Sequence, residues 1–147
     1  MTTKLTLIIT AASILAAGLL FSGSAINNDE SADYIASERI FEKRTYTTYD
    51  GKLDDLHKRF EDHTMHLFEK HGMKNLGYWT PVDEELSENT LIFIIVHDNL
   101  EAAERNWDAF RNDPEWQQAY EESHADGPLV QHVNSVYMRA TPYSLIQ

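Results

Sequence analysis

Residues 90–98 read TLIFIIVHD, and the unbroken apolar run from Leu91 to Val96 inside them decides the fold. Branched and aromatic side chains of this kind favour a β-strand. An antiparallel strand with helices on one face and water on the other alternates apolar and polar residues. This segment does not alternate, so we expect cover on both faces, and a second subunit is the expected cover for the face away from the helices.

Two helices are predicted directly after this strand. Asn99 is placed to cap the first, LEAAERNWDAFRN, at residues 100–112. Asp113 and Pro114 then start the second, DPEWQQAYEESH, because Asp is a common N-cap and Pro fits the first helical position. We therefore expect one long helical region that is broken in two.

The remaining elements are a helix and three strands. Residues 52–72, KLDDLHKRFEDHTMHLFEKHG, place apolar side chains at helical spacing and charged ones on the opposite face, with Gly72 as the C-terminal cap. RIFEKRTYTT (39–48), NLGYWTP (75–81) and LVQHVNSVYMRATPYS (129–144) have the composition of strands. The resulting order, βαββαβ, predicts an α+β, ferredoxin-like fold with a four-stranded antiparallel sheet and helices on one face.

The N-terminal residues have the composition of an export signal. Lys4 precedes an apolar run at residues 5–21, and small residues follow. This layout is typical of a secretory signal, although the run is long enough for an uncleaved membrane anchor, which would be the chain's only membrane contact. The expected division is a signal peptide or anchor at 1–25, a polar linker at 26–38 and one domain at 39–147. The mass of the native N-terminus separates the alternatives, since retention of Met1 would indicate an anchor.

The charge of the chain argues against some partners. It carries 24 acidic and 12 basic side chains among 147 residues, for a formal net charge of −12. Such a surface repels nucleic acid and anionic lipid, and no Lys/Arg-rich block offsets it. The chain has no cysteine, so disulfides cannot stabilise it outside the cytoplasm.

Three histidines lie within ten residues, HTMHLFEKHG at 63–72. At about 100° per helical residue they do not converge on one face, and no HExxH pattern is present, so we expect no metal. His63 borders the apolar stripe and is the candidate catalytic base between helix and sheet, with a hydrogen-bonded residue at the core edge as the alternative. His71 is expected at the helix C-terminus, under the sheet edge.

A small-molecule pocket is expected between helices and sheet. Arg44 and Tyr46 share one face of the first strand, where Arg44 can clamp a carboxylate while Tyr46 donates a hydrogen bond. An ion pair across a dimer or with the acidic helix is the alternative for Arg44. Four aromatic residues complete the candidate binding set, with plain core packing as the alternative for those on helices; they are Trp79, Trp107, Phe110 and Trp116.

Several chemistries have no support in the sequence. We find no Ser-His-Asp order, GxSxG elbow, P-loop, GxGxxG motif or cysteine nucleophile. His97, His124 and His132 are available as haem ligands, but no CxxCH motif is present and nothing distinguishes one of them. We therefore expect no cofactor.

Five short motifs, in order, resemble the NIPSNAP domain over residues 40–144. They are EKRTY at 42–46, LFEKHG at 67–72, GYW at 77–79, DPEW at 113–116 and TPYS at 141–144. Lys43 departs from the apolar residue usual at its position. The resemblance implies a dimeric α/β barrel, in which two ferredoxin-like units pack sheet against sheet.

The resemblance implies no single activity, because NIPSNAP domains lack an agreed reaction. Similar barrels include cofactor-free monooxygenases, isomerases and haem enzymes, which is an analogy of fold only. The first hypothesis is an exported homodimeric module that binds a small molecule or a partner. The alternatives are a cofactor-independent monooxygenase or isomerase for a small apolar or aromatic compound, with His63 as base, and a dimer tethered to the membrane.

Overall fold

The computed structural model of the protein describes residues 39–147. The expected signal or anchor at 1–25 and the linker at 26–38 lie outside these residues. Within the described part, no helix has both the length and the apolar character needed to span a bilayer.

Four strands and two helical regions form the domain, in the predicted order βαββαβ. The elements are β1 (Ile40–Thr48), α1 (Leu53–Arg59), a π-helical turn (Phe60–Thr64), α2 (Met65–Lys70), β2 (Lys74–Trp79), β3 (Thr90–His97), α3 (Leu100–Arg111), α4 (Pro114–Ser123) and β4 (Val130–Met138). The strand order is β2-β3-β1-β4, and every neighbouring pair is antiparallel. The ferredoxin-like prediction is confirmed.

The predicted helix boundaries are set by the expected caps. The side chain of Asn99 accepts a hydrogen bond from the backbone N–H of Ala102 at 2.8 Å. That of Asp113 accepts one from Glu115 at 2.8 Å, with Pro114 in the first turn. Gly72 follows α2 with a φ of +77°, the left-handed conformation that glycine adopts without a steric penalty.

The sequence pattern had suggested one regular α-helix in the first helical region, but the structure differs. The middle of this region, Phe60–Thr64, is a π-helical turn, in which each hydrogen bond spans one residue more than in an α-helix. The hydroxyl of Thr64 donates to the backbone oxygen of Arg59 at 3.1 Å inside this turn. One extra residue turns every later side chain back by roughly 100° around the axis. The residues after Thr64 therefore face directions that a uniform helical wheel does not give.

The last strand is shorter than expected. It ends at Met138, whereas the apolar and Tyr-rich pattern had suggested a strand as far as residue 144. Pro142 has no N–H for a sheet hydrogen bond, and Ser144 instead bonds back to the carbonyl of Thr141 at 2.9 Å. The C-terminal residues lie against the sheet face away from the helices, beside Phe41.

The two faces of the sheet differ in their cover. On the helix side, Phe93 is fully buried in a cluster of aromatic rings. On the opposite face, Ile92 and Ile94 of the same strand stay partly exposed, and Val136 of β4 is 43% exposed. The continuous apolar run in β3 thus fills the core with one half of its side chains and leaves the other half without full cover.

Candidate functional site

A cleft opens between the first helical region, α4 and the edge strand β4, and we call it the aromatic cleft. Its volume is about 280 Å³. Six aromatic residues line it, together with three polar residues of the helices; these are Tyr46, Phe60, Phe68, Phe110, Trp116 and Tyr120, and Arg59, Thr64 and His124. Rings with a few convergent polar groups are the usual lining of a small-molecule site.

The guanidinium of Arg59 lies against the rings of this cleft. It is 5.2 Å from the ring centre of Trp116 and 5.7 Å from that of Tyr120. The residue is only 5% exposed, and one terminal nitrogen donates to the hydroxyl of Ser123 at 3.3 Å. Burial lowers the pKa of Arg59, because a charged group loses its hydration inside the protein.

His124 presents a defined tautomer at the same cleft. Its Nδ1 lies 2.7 Å from the backbone oxygen of Tyr120, which can only accept, so Nδ1 carries the proton. The ring also stacks on the Tyr120 ring at 3.9 Å between centroids. In the neutral imidazole Nε2 is then left as a hydrogen-bond acceptor.

A second polar cluster is built around Glu42, whose side chain is fully buried. One carboxylate oxygen accepts from the Trp107 indole at 2.7 Å and from His97 Nε2 at 3.0 Å. The other accepts from Arg44 at 2.7 Å and from Ser135 at 2.6 Å. All four donors come from different positions along the chain, so this carboxylate joins β1, β3, β4 and α3.

The hydrogen bonds decide the charge of Glu42. Burial alone would raise its pKa, but hydrogen bonds from His97, Ser135 and Trp107 and the charge of Arg44 outweigh burial and lower the pKa to about 2. Glu42 is therefore a carboxylate at neutral pH. Both of its oxygens accept hydrogen bonds from side chains that hold the domain together.

The structure separates the predicted binding residues into three places. Tyr46, Phe110 and Trp116 meet in the aromatic cleft. Arg44 and Tyr46 do share one face of β1, but Arg44 pairs with Glu42 and stacks on the Trp107 ring at 4.3 Å. Within the described chain the ion pair of Arg44 therefore lies in its own strand and not with the acidic helix. Trp107 belongs to the core and donates its N–H to the same carboxylate.

Trp79 lies apart from both sites. It pairs in register with Ile92, on the sheet face away from the helices, and is 50% exposed. Its ring covers Gly77, where a Cβ atom would come within 2.7 Å of the indole. The structure therefore does not bring Trp79 to the cleft between helices and sheet.

His63 does not lie between helix and sheet, as the helical wheel had suggested. It lines an outer groove of about 250 Å³ between the first helical region and α4, with Asp55, Asp62 and Glu122 among its neighbours. The reason is the packing of α4, whose Ala119, Glu122 and Ser123 form the other wall of the groove that His63 lines. A catalytic role for His63 stays a prediction.

His71 lies at the C-terminal end of α2, as predicted. Its Nε2 lies 2.6 Å from a carboxylate oxygen of Asp113, so it ties the end of α2 to the start of α4. Hydrogen bonds from Lys70 and His71 lower the pKa of Asp113. Among the described residues no group of three or more potential metal-ligating side chains comes together.

Six of the nine cleft residues named above were not among the candidate site residues, and Arg59, Tyr120 and His124 are the most informative of them. Arg59 was placed with the charged residues on the outer side of the helix, and Tyr120 and His124 were not proposed as cleft residues. The spacing Trp116, Tyr120 and His124, four residues apart, places all three on one helix face and was the available signal. No comparable signal marks Arg59, since its burial depends on the packing of α4 against α1.

Comparisons with known proteins agree with this fold. A family model described as NIPSNAP matches residues 41–145. The structure is similar to an uncharacterized NIPSNAP-like domain protein from Burkholderia xenovorans, with a TM-score of 0.64, 18% identity, and coverage of 74% of this chain and 90% of that one. It is also similar to a NIPSNAP family protein of unknown function from Agrobacterium tumefaciens, with a TM-score of 0.64, 20% identity, and coverage of 76% and 96%.

More distant matches carry no argument about activity. A cofactor-independent oxygenase from Streptomyces nogalater matches with a TM-score of 0.49 and 13% identity, over 75% of this chain and 99% of that one. No curated protein matches the chain. The family model covers well over half of the sequence, in the region where the ferredoxin-like domain is found. The chain therefore belongs to the NIPSNAP family.

Proposed function

We propose that this protein is an exported homodimer that binds a small apolar or aromatic compound in the aromatic cleft. The observation that carries the proposal is the lining of the cleft, where six aromatic residues surround about 280 Å³ within one chain. Ligand pockets usually measure roughly 300 to 1,000 Å³, so this one suits a compound with a small ring system.

The cleft offers ring faces and ring edges to a ligand. The rings of Phe110 and Trp116 are 4.4 Å apart, and those of Trp116 and Tyr120 are 5.7 Å apart, which forms a continuous aromatic wall. Offset and edge-on contacts with such rings add to the gain from burying apolar surface. An aromatic ligand gains from both the ring contacts and the burial of its apolar surface.

Trp116→Ala is expected to weaken the binding of indole by at least about tenfold, because a buried aromatic anchor is typically worth 2 kcal/mol or more. Titration followed by calorimetry measures the affinity. Trp79→Ala is the matched control, since it removes the same side chain from the opposite face of the sheet. Equal loss in both variants, or no loss in either, would contradict the assignment of the cleft.

The incompletely covered sheet face away from the helices supports the homodimer. Ile94 of β3 and Val136 of β4 flank Lys43 of β1 on this face, with direct register between all three strands. The aliphatic stem of Lys43 extends the apolar surface while its ammonium can reach the rim. A second copy placed sheet to sheet buries this surface. In a two-fold symmetric dimer the same patch is buried on both subunits, so no further copy can add to it.

Val136→Glu is expected to convert the dimer to a monomer, because it buries a carboxylate at the proposed interface, and the cost of removing that charge from water exceeds the gain from pairing with Lys43. Val133→Glu is a closely matched control: both valines lie on β4, with 43% and 42% exposure, but Val133 faces the helices. Sedimentation equilibrium gives the mass. A monomeric wild-type chain, or dissociation by both substitutions, would contradict the sheet-to-sheet dimer.

The enzyme alternative stays a prediction. A cofactor-independent monooxygenase or isomerase needs a base at the ligand, and His63 lies in the outer groove. Two imidazoles line the aromatic cleft instead, that of His124 at the end of α4 and that of His132 on β4.

A further inference from the structure

Arg59 is a buried cation without an acidic partner in the described chain. It is 5% exposed, and none of the ion pairs among residues 39–147 includes it. Its Nε atom is buried and makes no hydrogen bond, and the bond to Ser123 is long at 3.3 Å. Most of the hydrogen-bonding capacity of this guanidinium is therefore unused within the described residues.

Arg44 is largely buried and also leaves its Nε without a hydrogen bond, but unlike Arg59 it is neutralised by a carboxylate of the chain. Arg44 pairs with Glu42 at 2.7 Å, inside a network of four donors to one carboxylate. The guanidinium of Arg59 contacts two ring faces and one hydroxyl, and these compensate a buried charge less than a directly paired carboxylate does. Burying this charge without a counter-charge destabilises the folded chain, and a negatively charged ligand that binds Arg59 would explain why it is there.

Arg59 lies at the wall of the aromatic cleft, next to the π-helical turn. It directly precedes the turn, and its carbonyl accepts from Thr64, while Phe60 and Thr64 both line the cleft. Turns of this type are frequent at functional sites. Trp116 and Tyr120 flank the guanidinium, and the phenol of Tyr46 is close enough to interact with its charge.

We infer that the aromatic cleft takes a small organic monoanion, an aromatic carboxylic acid whose carboxylate pairs with Arg59 and whose ring lies against Trp116 and Tyr120. The planar fork of a guanidinium matches the two oxygens of a carboxylate. One cation neutralises one charge, and Asp55, Asp62 and Glu122 in the outer groove beside Arg59 disfavour a polyanion. This inference rests on the proposed function and adds the charge of the ligand.

The test compares acids with their neutral amides on the full chain by titration calorimetry. The pairs are benzoate with benzamide and indole-3-acetate with indole-3-acetamide, which differ little in shape. In the wild-type protein the acid is expected to bind about ten to a hundred times more tightly than its amide, as for hydrogen bonds between charged groups. Arg59→Gln is expected to remove that difference. Arg105→Gln, an identical substitution at an exposed arginine of α3, is expected to preserve it.

Each outcome is distinguishable. Equal affinity of acid and amide in the wild-type protein overturns the carboxylate inference and leaves the proposed ring-binding function standing. Binding of neither compound of any pair counts against the proposed function itself. Acid binding that is unchanged in Arg59→Gln also overturns the inference. If Arg59→Gln does not fold, Arg59→Lys replaces it, because lysine keeps the charge but lacks the planar guanidinium. This variant is expected to lose part of the preference for the acid over the amide. The comparison of acid and amide in the wild-type protein tests the inference without any variant.

Discussion

Glu42→Ala is expected to lower the free energy of unfolding by about 3 to 5 kcal/mol, which is the usual cost of removing one partner from a buried charged network. The carboxylate is fully buried and accepts from Trp107, His97, Arg44 and Ser135. Its removal leaves four donors without their acceptor, and Arg44 without its counter-charge. Urea denaturation followed by circular dichroism measures the change. Since domains of this size are stable by only about 5 to 15 kcal/mol, the effect is large.

Glu42→Gln keeps the shape of the side chain and separates charge from packing. It retains one acceptor oxygen, so its cost should lie below that of Glu42→Ala. Glu88→Gln, at an exposed position in the loop before β3, controls for the general loss of a negative charge and should change stability by less than about 0.5 kcal/mol. Equal, small effects at positions 42 and 88 would mean that solvent replaces the network, which would contradict its structural role.

The pH dependence gives an independent measure of the same network. The pKa of Glu42 falls from 4.5 to about 2 on folding. A depressed pKa stabilises the fold above the unfolded value and loses that contribution as pH falls through the folded value. The wild-type protein is therefore expected to lose about 3 kcal/mol between pH 4.5 and 2 from this group alone. Glu42→Gln lacks a titrating group there, so its stability curve should be flatter over this interval.

Much of the fold could be predicted because its determinants are local. The apolar run of β3, the caps Asn99 and Asp113, and Gly72 after α2 each act on residues within a few positions. The order of elements then leaves few arrangements for a four-stranded antiparallel sheet. The sheet face away from the helices was expected to be bare in a single chain; the C-terminal residues cover part of it beside Phe41, and Ile92, Ile94 and Val136 stay partly exposed.

The site was harder to predict because it depends on residues distant in sequence. The acceptor of Arg44 was sought across a dimer or on a helix and lies two residues away, because strand alternation puts Glu42 and Arg44 on the same face. The π-helical turn changes the directions of the residues after Thr64, and nothing in the residue periodicity signals it. Arg59 is buried by α4, so its location at the cleft follows only from tertiary packing.

Phe93→Ala is expected to cost about 3 to 5 kcal/mol of unfolding free energy, because it opens a cavity where the surrounding rings cannot close in fully. Phe93 is fully buried, and its ring centre lies 5.2 Å from Tyr46, 5.1 Å from Phe60 and 5.5 Å from Tyr78. Phe93→Leu keeps most of the volume and should cost under about 1.5 kcal/mol. Both values come from the same denaturation experiment.

The same substitution tests whether the core supports the aromatic cleft. Tyr46 and Phe60 pack on Phe93 with one side and line the cleft with the other, so a cavity beneath them should loosen the wall and weaken indole binding. Benzene should fill the new cavity and raise the unfolding temperature of Phe93→Ala but not of Phe93→Leu, since apolar cavities take up such compounds. A loss in stability below about 1 kcal/mol with no benzene effect would show that the rings collapse into the space. In that case the shape of the cleft would be set by α4 and the π-helical turn, and not by the aromatic core beneath it.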